Sequence, residues 1–383
     1  MGASMDAKEI LEIYRKVGGR VETKGKVTLT SKEDFAVYYT PGVGKVSMHL
    51  SEHPEDAREL SIKGNSVAVV SDGTAVLGLG DIGPYGALPV MEGKALIFKQ
   101  LAGIDAWPLV LDTKDPEEII RIVKAVAPNF GGINLEDIAA PQCFEIEQRL
   151  IEELDIPVMH DDQHGTAIVT LAGLINASKV VGKDLNTMTA VVNGVGAAGV
   201  AIMRLLKRAY PGLTLRAVDS KGIVSSTRTD INGMKQTILA EGTIAGDRDG
   251  DLSAALSGAD IFIGVSKAHI LSQEMVRMMN AGPIVFAMAN PVPEIMPEDA
   301  KAAGVAVMAT GRSDFPNQIN NALVFPGVFR GALDGKVRKI TDDMKVRAAQ
   351  AIAALVENPT TEFIVPDILD ERVVPAVATA IQS

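Results

Sequence analysis

The sequence predicts an α/β protein, an N-terminal α/β domain followed by a C-terminal doubly wound domain on a second parallel sheet. Three observations carry that reading. Short apolar runs alternate with helix-length amphipathic runs along most of the chain, the rhythm of parallel strands joined by right-handed crossovers. Two acidic pairs, Glu136-Asp137 and Asp161-Asp162, each follow such an apolar run. A glycine fingerprint, Gly194-x-Gly196-x-x-Gly199, follows one apolar run and opens a helical one, which makes the second domain Rossmann-type and dinucleotide-binding.

Taken in order, Met1-Gly2-Ala3-Ser4 before Met5 reads as an expression remnant outside the fold. A short helix is expected over 7–17, then a Thr- and Lys-rich loop leading to the stretch DFAVYYTPGVGKV. Strands are expected at 66–70, 75–79 and 107–111, with a helix bearing Lys94 between the last two. Asp115-Pro116-Glu117-Glu118 opens another helix, with an N-cap Asp, a Pro at the first helical position and a Glu completing a capping box. Strands at 131–135 and 156–159 flank the run 140–154, whose Phe144, Ile146, Leu150 and Leu154 have helical spacing. A helix over 167–181 bridges to strands at 188–192, 214–218, 261–264, 284–287 and 305–308. Two helical runs, 342–356 and 373–381, split by Asn358-Pro359, are expected to pack back on the N-terminal domain. The expected division is 1–160, 161–332 and 333–383.

Composition narrows the class. The 383 residues are 47% hydrophobic and 22% charged, enough for two or three domains. A net charge of −11 argues against a nucleic-acid or anionic-membrane partner. The single cysteine, Cys143, excludes an intrachain disulfide, suits a reducing cytoplasm and reads as a small core residue. No window of about 18 apolar residues lacks charge and no signal peptide is evident, so a cytoplasmic location is expected.

The acidic pairs point to a metal. Groups just past the carboxyl ends of strands line the ligand crevice of an open α/β sheet. Carboxylates converging there repel one another unless a cation neutralises them, and all-oxygen ligation suits Mg²⁺ or Mn²⁺. His160 and His164 flank the second pair and read as structural. In the fingerprint, Gly194 permits the tight turn, Gly196 admits the pyrophosphate and Gly199 lets helix and strand pack. Ala197 and Ala198 begin the helix whose N–H groups face the phosphates. Asp219 lies twenty residues past Gly199, where a carboxylate would bind the ribose hydroxyls and repel a 2′-phosphate. NAD is therefore the expected cofactor. Ser220-Lys221 could instead hold that phosphate, which keeps NADP as the alternative.

Together these residues resemble the malic enzymes of the short prokaryotic type. The resemblance spans roughly 35–330 and rests on separated motifs in order: YYTPGVG, SDGTAVLGLGDIGPYGALPVMEGK, NLEDI, HDDQHGTA, NGVGAAG, ANPVPEI and TGRSDFPNQINNALVFPG. It implies oxidative decarboxylation of L-malate to pyruvate and CO₂ with reduction of NAD(P)⁺, and decarboxylation of oxaloacetate. Lys94 then matches the base that takes the C2 hydroxyl proton, its pKa expected to fall beside the cation, and Tyr39 the acid that protonates C3. Asp161 would orient Lys94, and Glu136, Asp137 and Asp162 would bind the metal. Asn290 and Asn320 match positions at the substrate carboxylate and the nicotinamide edge. One departure stands out. Larger family members carry a carboxylate-gripping arginine where this chain has Thr74-Ala75, which leaves Asn320, Thr40 or Arg312 for that task. A homodimer is implied. The rivals are a malolactic enzyme, which keeps its NAD and releases lactate, an amino-acid dehydrogenase, which needs no carboxylate metal cluster, and a dinucleotide-sensing module, which needs neither Lys94 nor Tyr39.

Overall fold

A computed structural model describes residues 6–76, 78–231 and 233–382; the N-terminal remnant lies outside them. The chain begins with an arm of helices: α1 (Ala7–Val17), α2 (Lys32–Tyr38), α3 (Gly42–Glu52) and α4 (Ala57–Leu60). Helix α1 starts in a reciprocal box between Asp6 and Glu9. No residue from 6 to 65 is buried.

The first sheet follows as β1 (Ser66–Ser71), α5 (Gly83–Ala102), β2 (Asp105–Val110), α6 (Pro116–Val126), β3 (Gly132–Leu135), α7 (Gln142–Glu153) and β4 (Val158–His160). Its strand order is β2-β1-β3-β4, all parallel. The second sheet is built from α8 (Asp161–Val181), β5 (Thr189–Asn193), α9 (Ala197–Ala209), β6 (Thr214–Asp219), β7 (Gly222–Ile223), α10 (Gly233–Ala240), α11 (Leu252–Leu256), β8 (Ile261–Gly264), α12 (Gln273–Arg277), β9 (Ile284–Ala287), α13 (Pro297–Ala302) and β10 (Val307–Thr310). Its order is β10-β9-β8-β5-β6-β7, parallel except for β7. The chain reverses direction across the sheet at β5, which makes it doubly wound and opens a ligand crevice beside β5. Three further helices close the chain, α14 (Phe325–Asp334), α15 (Asp342–Ala354) and α16 (Val373–Gln382).

Several expectations need correction. The run 75–79 is a turn: Thr74 N–H and hydroxyl both bond Asp72, Gly73 and Gly80 take positive φ, and Val76 meets Gly80 in an isolated bridge. Leu77, within that run, lies outside the described residues. Helix α8 starts at Asp161, six residues early, so its acidic pair occupies the first helical turn. Strand β10 starts two residues late. Asp115 caps α6 through Glu117 N–H, while Glu118 accepts from Thr113 and the reciprocal half of the box is not made.

The C-terminal helices do not dock on the first sheet. Helix α15 packs on α8, α9 and α16, and α16 on α14. It is α14 that meets α5 and β3, where Phe98 stacks against Phe325 and Phe329 at 4.7 and 5.6 Å. One apolar cluster therefore runs from Val67 and Phe98 through α8 to Val377 and ties both sheets together. Cys143 is fully buried in a separate cluster on α7; burial pushes its thiol up to about 12, as befits a core residue. Among the described residues no helix is long and apolar enough to cross a membrane.

Candidate active site

Strand register brings the two acidic pairs together. Leu135 of β3 pairs with His160 of β4, so the residues that follow, Glu136-Asp137 and Asp161-Asp162, leave the sheet side by side. Oxygens of Glu136, Asp137 and Asp162 lie within 4.8 Å of one another. Asp137 adopts φ 54, a left-handed conformation uncommon for a residue with a Cβ. Its N–H donates to Asp162 Oδ2 at 2.8 Å, and its carbonyl accepts from Ala75 N–H of the 72–76 turn.

Lys94 enters from α5. Its Nζ donates to Asp161 Oδ2 at 2.5 Å and stands 3.1 Å from Glu136 Oε1. The Phe325 ring lies 4.4 Å below the ammonium. Burial would depress Lys94, but Asp161, Glu136 and Asp162 outweigh it and raise its pKa. The fall expected for Lys94 was for a site holding a cation; without one, Asp161, Glu136 and Asp162 set the direction. Burial likewise pushes Glu136 and Asp161 up to about 7 and raises Asp162.

The donor set fits a hard dication. Every candidate ligand is a carboxylate, and negative charge exceeds what Lys94 offsets. Asp161 Oδ1 and Asn134 Oδ1 are buried without a hydrogen-bond partner, the condition of a site built around a further group. Gly165 keeps room there, since a Cβ on it would sit 1.9 Å from Asp161 Oδ1. His160 is fully buried and pushed down to about 4 by burial, so it is neutral.

The β5–α9 turn fits a pyrophosphate. Gly194 has φ 116, and Gly199 packs so tightly that a Cβ would lie 1.8 Å from the Gly194 carbonyl. Gly196 is the N-cap of α9, faces open space and supplies no capping side chain, leaving Ala197 and Ala198 at an uncapped helix start.

Residues 18–151 match the family model for the malic enzyme N-terminal domain, and residues 163–382 that for the malic enzyme NAD binding domain. The chain belongs to the malic enzyme family. It is 55% identical to the NAD-dependent malic enzyme of Geobacillus stearothermophilus, over 95% of this chain and 76% of that protein. It is 50% identical to the bifunctional malic/malolactic enzyme of Bacillus subtilis, over 98% and 92% of the two chains. The crystal structure of NAD-dependent malic enzyme from Thermotoga maritima superposes with a TM-score of 0.94 at 48% identity, covering 99% of both. As a malic enzyme it is an oxidoreductase with an NAD(P)-binding domain of Rossmann type.

Around this malic-enzyme centre the remaining candidates differ in placement. Asp219 ends β6, but its carboxylate is already surrounded. It accepts from Lys221 N–H at 2.9 Å, from both terminal nitrogens of Arg228 at 2.9 and 3.2 Å, and from Lys235 at 2.5 Å. Those four donors fill a carboxylate's acceptor sites and hold its pKa below the usual range against burial. The expected repulsion of a 2′-phosphate is therefore corrected: Arg228 and Lys235 neutralise Asp219. Lys221 Nζ pairs with Asp230, and Ser220 is exposed beside it.

Tyr39 is not drawn into the carboxylate cluster within this chain. It is 59% exposed at the end of α2, its ring edge-on to Phe35, and Thr40 is exposed after it. Asn290 is exposed beside the 72–80 turn, where a Cβ on Gly78 would strike its carbonyl. Asn320 spends its side-chain oxygen on Ala322 N–H. Arg312 is held by Asp314 and Phe315, which makes it a poor carboxylate clamp. Glu147, Arg228, Lys235 and Phe325 escaped the sequence reading. Only Glu147 left a signal, as an acid on the apolar stripe formed by Cys143, Ile146 and Leu150.

Proposed function

We propose that the protein oxidises and decarboxylates L-malate to pyruvate and CO₂ with reduction of NAD(P)⁺, dependent on Mg²⁺ or Mn²⁺, and decarboxylates oxaloacetate. The observation that carries this is Lys94, buried between Asp161 and Glu136 beside a three-carboxylate cluster. Glu136, Asp137 and Asp162 would hold a divalent cation, which would supply a Lewis acid to the substrate and positive charge beside Lys94. Lys94 then takes the C2 hydroxyl proton, and Asp161 keeps its Nζ aimed. The buried Phe325 ring forms an apolar floor beneath Lys94. After CO₂ has left C3, Tyr39 returns a proton to that carbon. NAD is the proposed hydride acceptor, with Arg228 and Lys235 offering charge to a 2′-phosphate if NADP is used.

A homodimer is proposed on the state of the arm. Val37 and Met48 are each 62% exposed, among Ile10, Leu11, Tyr14, Phe35, Tyr39 and Val46. The chain exposes 18188 Å², where a compact monomer of this length exposes about 14,500 Å². The excess is on the scale that obligate interfaces cover. Tyr39 rides on that arm, so its position relative to a carboxylate cluster is decided by assembly.

A second reading has its own support, since the Bacillus subtilis relative is named as bifunctional malic/malolactic. Malate supplied with Mn²⁺ and either NAD⁺ or NADP⁺ separates the two. Net reduced cofactor with pyruvate supports the malic reaction, lactate without net reduction supports the malolactic one, and neither product sinks both.

A further inference from the structure

The N-terminus of α8 carries Asp161 and Asp162, yet its own N-cap, His160, makes no side-chain capping bond. In an ordinary capping box the third helical residue reaches back to the N-cap N–H. Here the third residue is Gln163, and its amide points elsewhere. Glu147, a buried residue of α7, takes the vacant role from a different helix. Its Oε1 accepts from His160 N–H at 2.7 Å, while Oε2 accepts from Gln163 Nε2 and contacts His164 Nε2, both at 3.0 Å. One carboxylate thus grips residues immediately before and after Asp161 and Asp162. Lys345 of α15, itself buried and paired with Asp342 at 3.0 Å, stands near enough to stabilise its charge.

We propose that Glu147 is a positioning residue for the metal and lysine carboxylates. It anchors the first turn of α8 to α7, and so sets where Asp162 faces Glu136 and Asp137 and where Asp161 meets Lys94. This role rests on reading Glu136, Asp137 and Asp162 as the metal site. Partners that orient metal ligands typically contribute 10–100-fold to metal affinity. A carboxylate that only filled space would instead change stability without selecting among ligands.

The full chain with Glu147→Ala and, separately, the milder Glu147→Gln tests this. Mn²⁺ affinity is read from the electron paramagnetic resonance of the free ion, NAD⁺ affinity by calorimetry, and kcat and KM for malate separately. The expected result is Mn²⁺ affinity down by about 10–100-fold in Glu147→Ala, a smaller loss in Glu147→Gln, unchanged NAD⁺ affinity, and kcat falling more than KM rises. If Glu147→Ala does not fold, the Gln variant, which keeps an acceptor for His160 N–H, carries the test. Wild-type Mn²⁺ affinity in both variants, or equal weakening of Mn²⁺ and NAD⁺, overturns the positioning role while leaving the metal site intact. A wild-type protein that binds no Mn²⁺ overturns the metal reading and this inference with it.

Discussion

Lys94 and Asp219 share a physical situation: each is a charge defined by its neighbours more than by its own chemistry. Lys94 is buried against Asp161 and Glu136, which raise its pKa, and its proposed use as a base would need a cation beside it. Lys94→Ala is expected to lower malate oxidation by about 10²–10⁴ while NAD⁺ binding persists. Retained turnover would show that another group takes the proton. Asp219 is the anchor of Arg228 and Lys235. Asp219→Ala should release both cations and shift the ratio of NADP⁺ to NAD⁺ affinity by about tenfold toward NADP⁺, roughly one charge-assisted hydrogen bond. An unchanged ratio measured by calorimetry would remove Asp219 and its partners from cofactor choice.

Among the elements, two helix N-termini carry the proposed positioning, α9 for phosphate and α8 for carboxylates. Gly199→Ala in α9 would force a Cβ against the Gly194 carbonyl. NAD⁺ binding should be lost in that variant, with Mn²⁺ binding kept; tight NAD⁺ binding would show that the turn yields easily. The α7–α8 junction has a pH signature. Burial raises Glu147, but the His164 ring and Lys345, joined by His160 once acid protonates it, outweigh it and hold it at about 2 against an ordinary 4.5. From 4.5 down to about 2 the unfolded chain binds this proton first. The carboxylate therefore contributes its full stability above about pH 4.5 and loses it as pH falls toward 2, on the order of 3 kcal/mol. Denaturant unfolding at about pH 6 and pH 3 should show a smaller loss in Glu147→Gln than in wild type. Equal losses would place the titration elsewhere.

For the whole molecule, the exposed apolar arm is the surface on which the proposed dimer rests. Sedimentation is expected to give a dimer, and Val37→Asp combined with Met48→Asp should shift it to monomer with loss of turnover. A wild-type monomer at micromolar concentration would leave the exposed apolar arm without the partner proposed for it. Tyr39 is 59% exposed on the same arm, so a dimer that covers the arm would also change what Tyr39 faces.

Much of this was legible in residue order because it depends on local rules. Alternating apolar runs marked nine of the ten strands among the described residues, the glycine spacing marked the β5–α9 turn, and the paired acids marked the ends of β3 and β4. The sequence misread 75–79 because a turn held by Asp72, Thr74 and two glycines has the same apolar content as a strand. It missed β7 because two residues carry no period. What only the tertiary structure decided are relations between distant segments: the Leu135–His160 register that brings the acid pairs together, the carboxylates that hold Lys94 charged, the saturation of Asp219, and Glu147 reaching from α7 to α8. Periodicity and motif spacing encode which face a residue takes within its own element. The charge it meets at a sequence separation of 67 or 13 is set only when the sheets and helices pack.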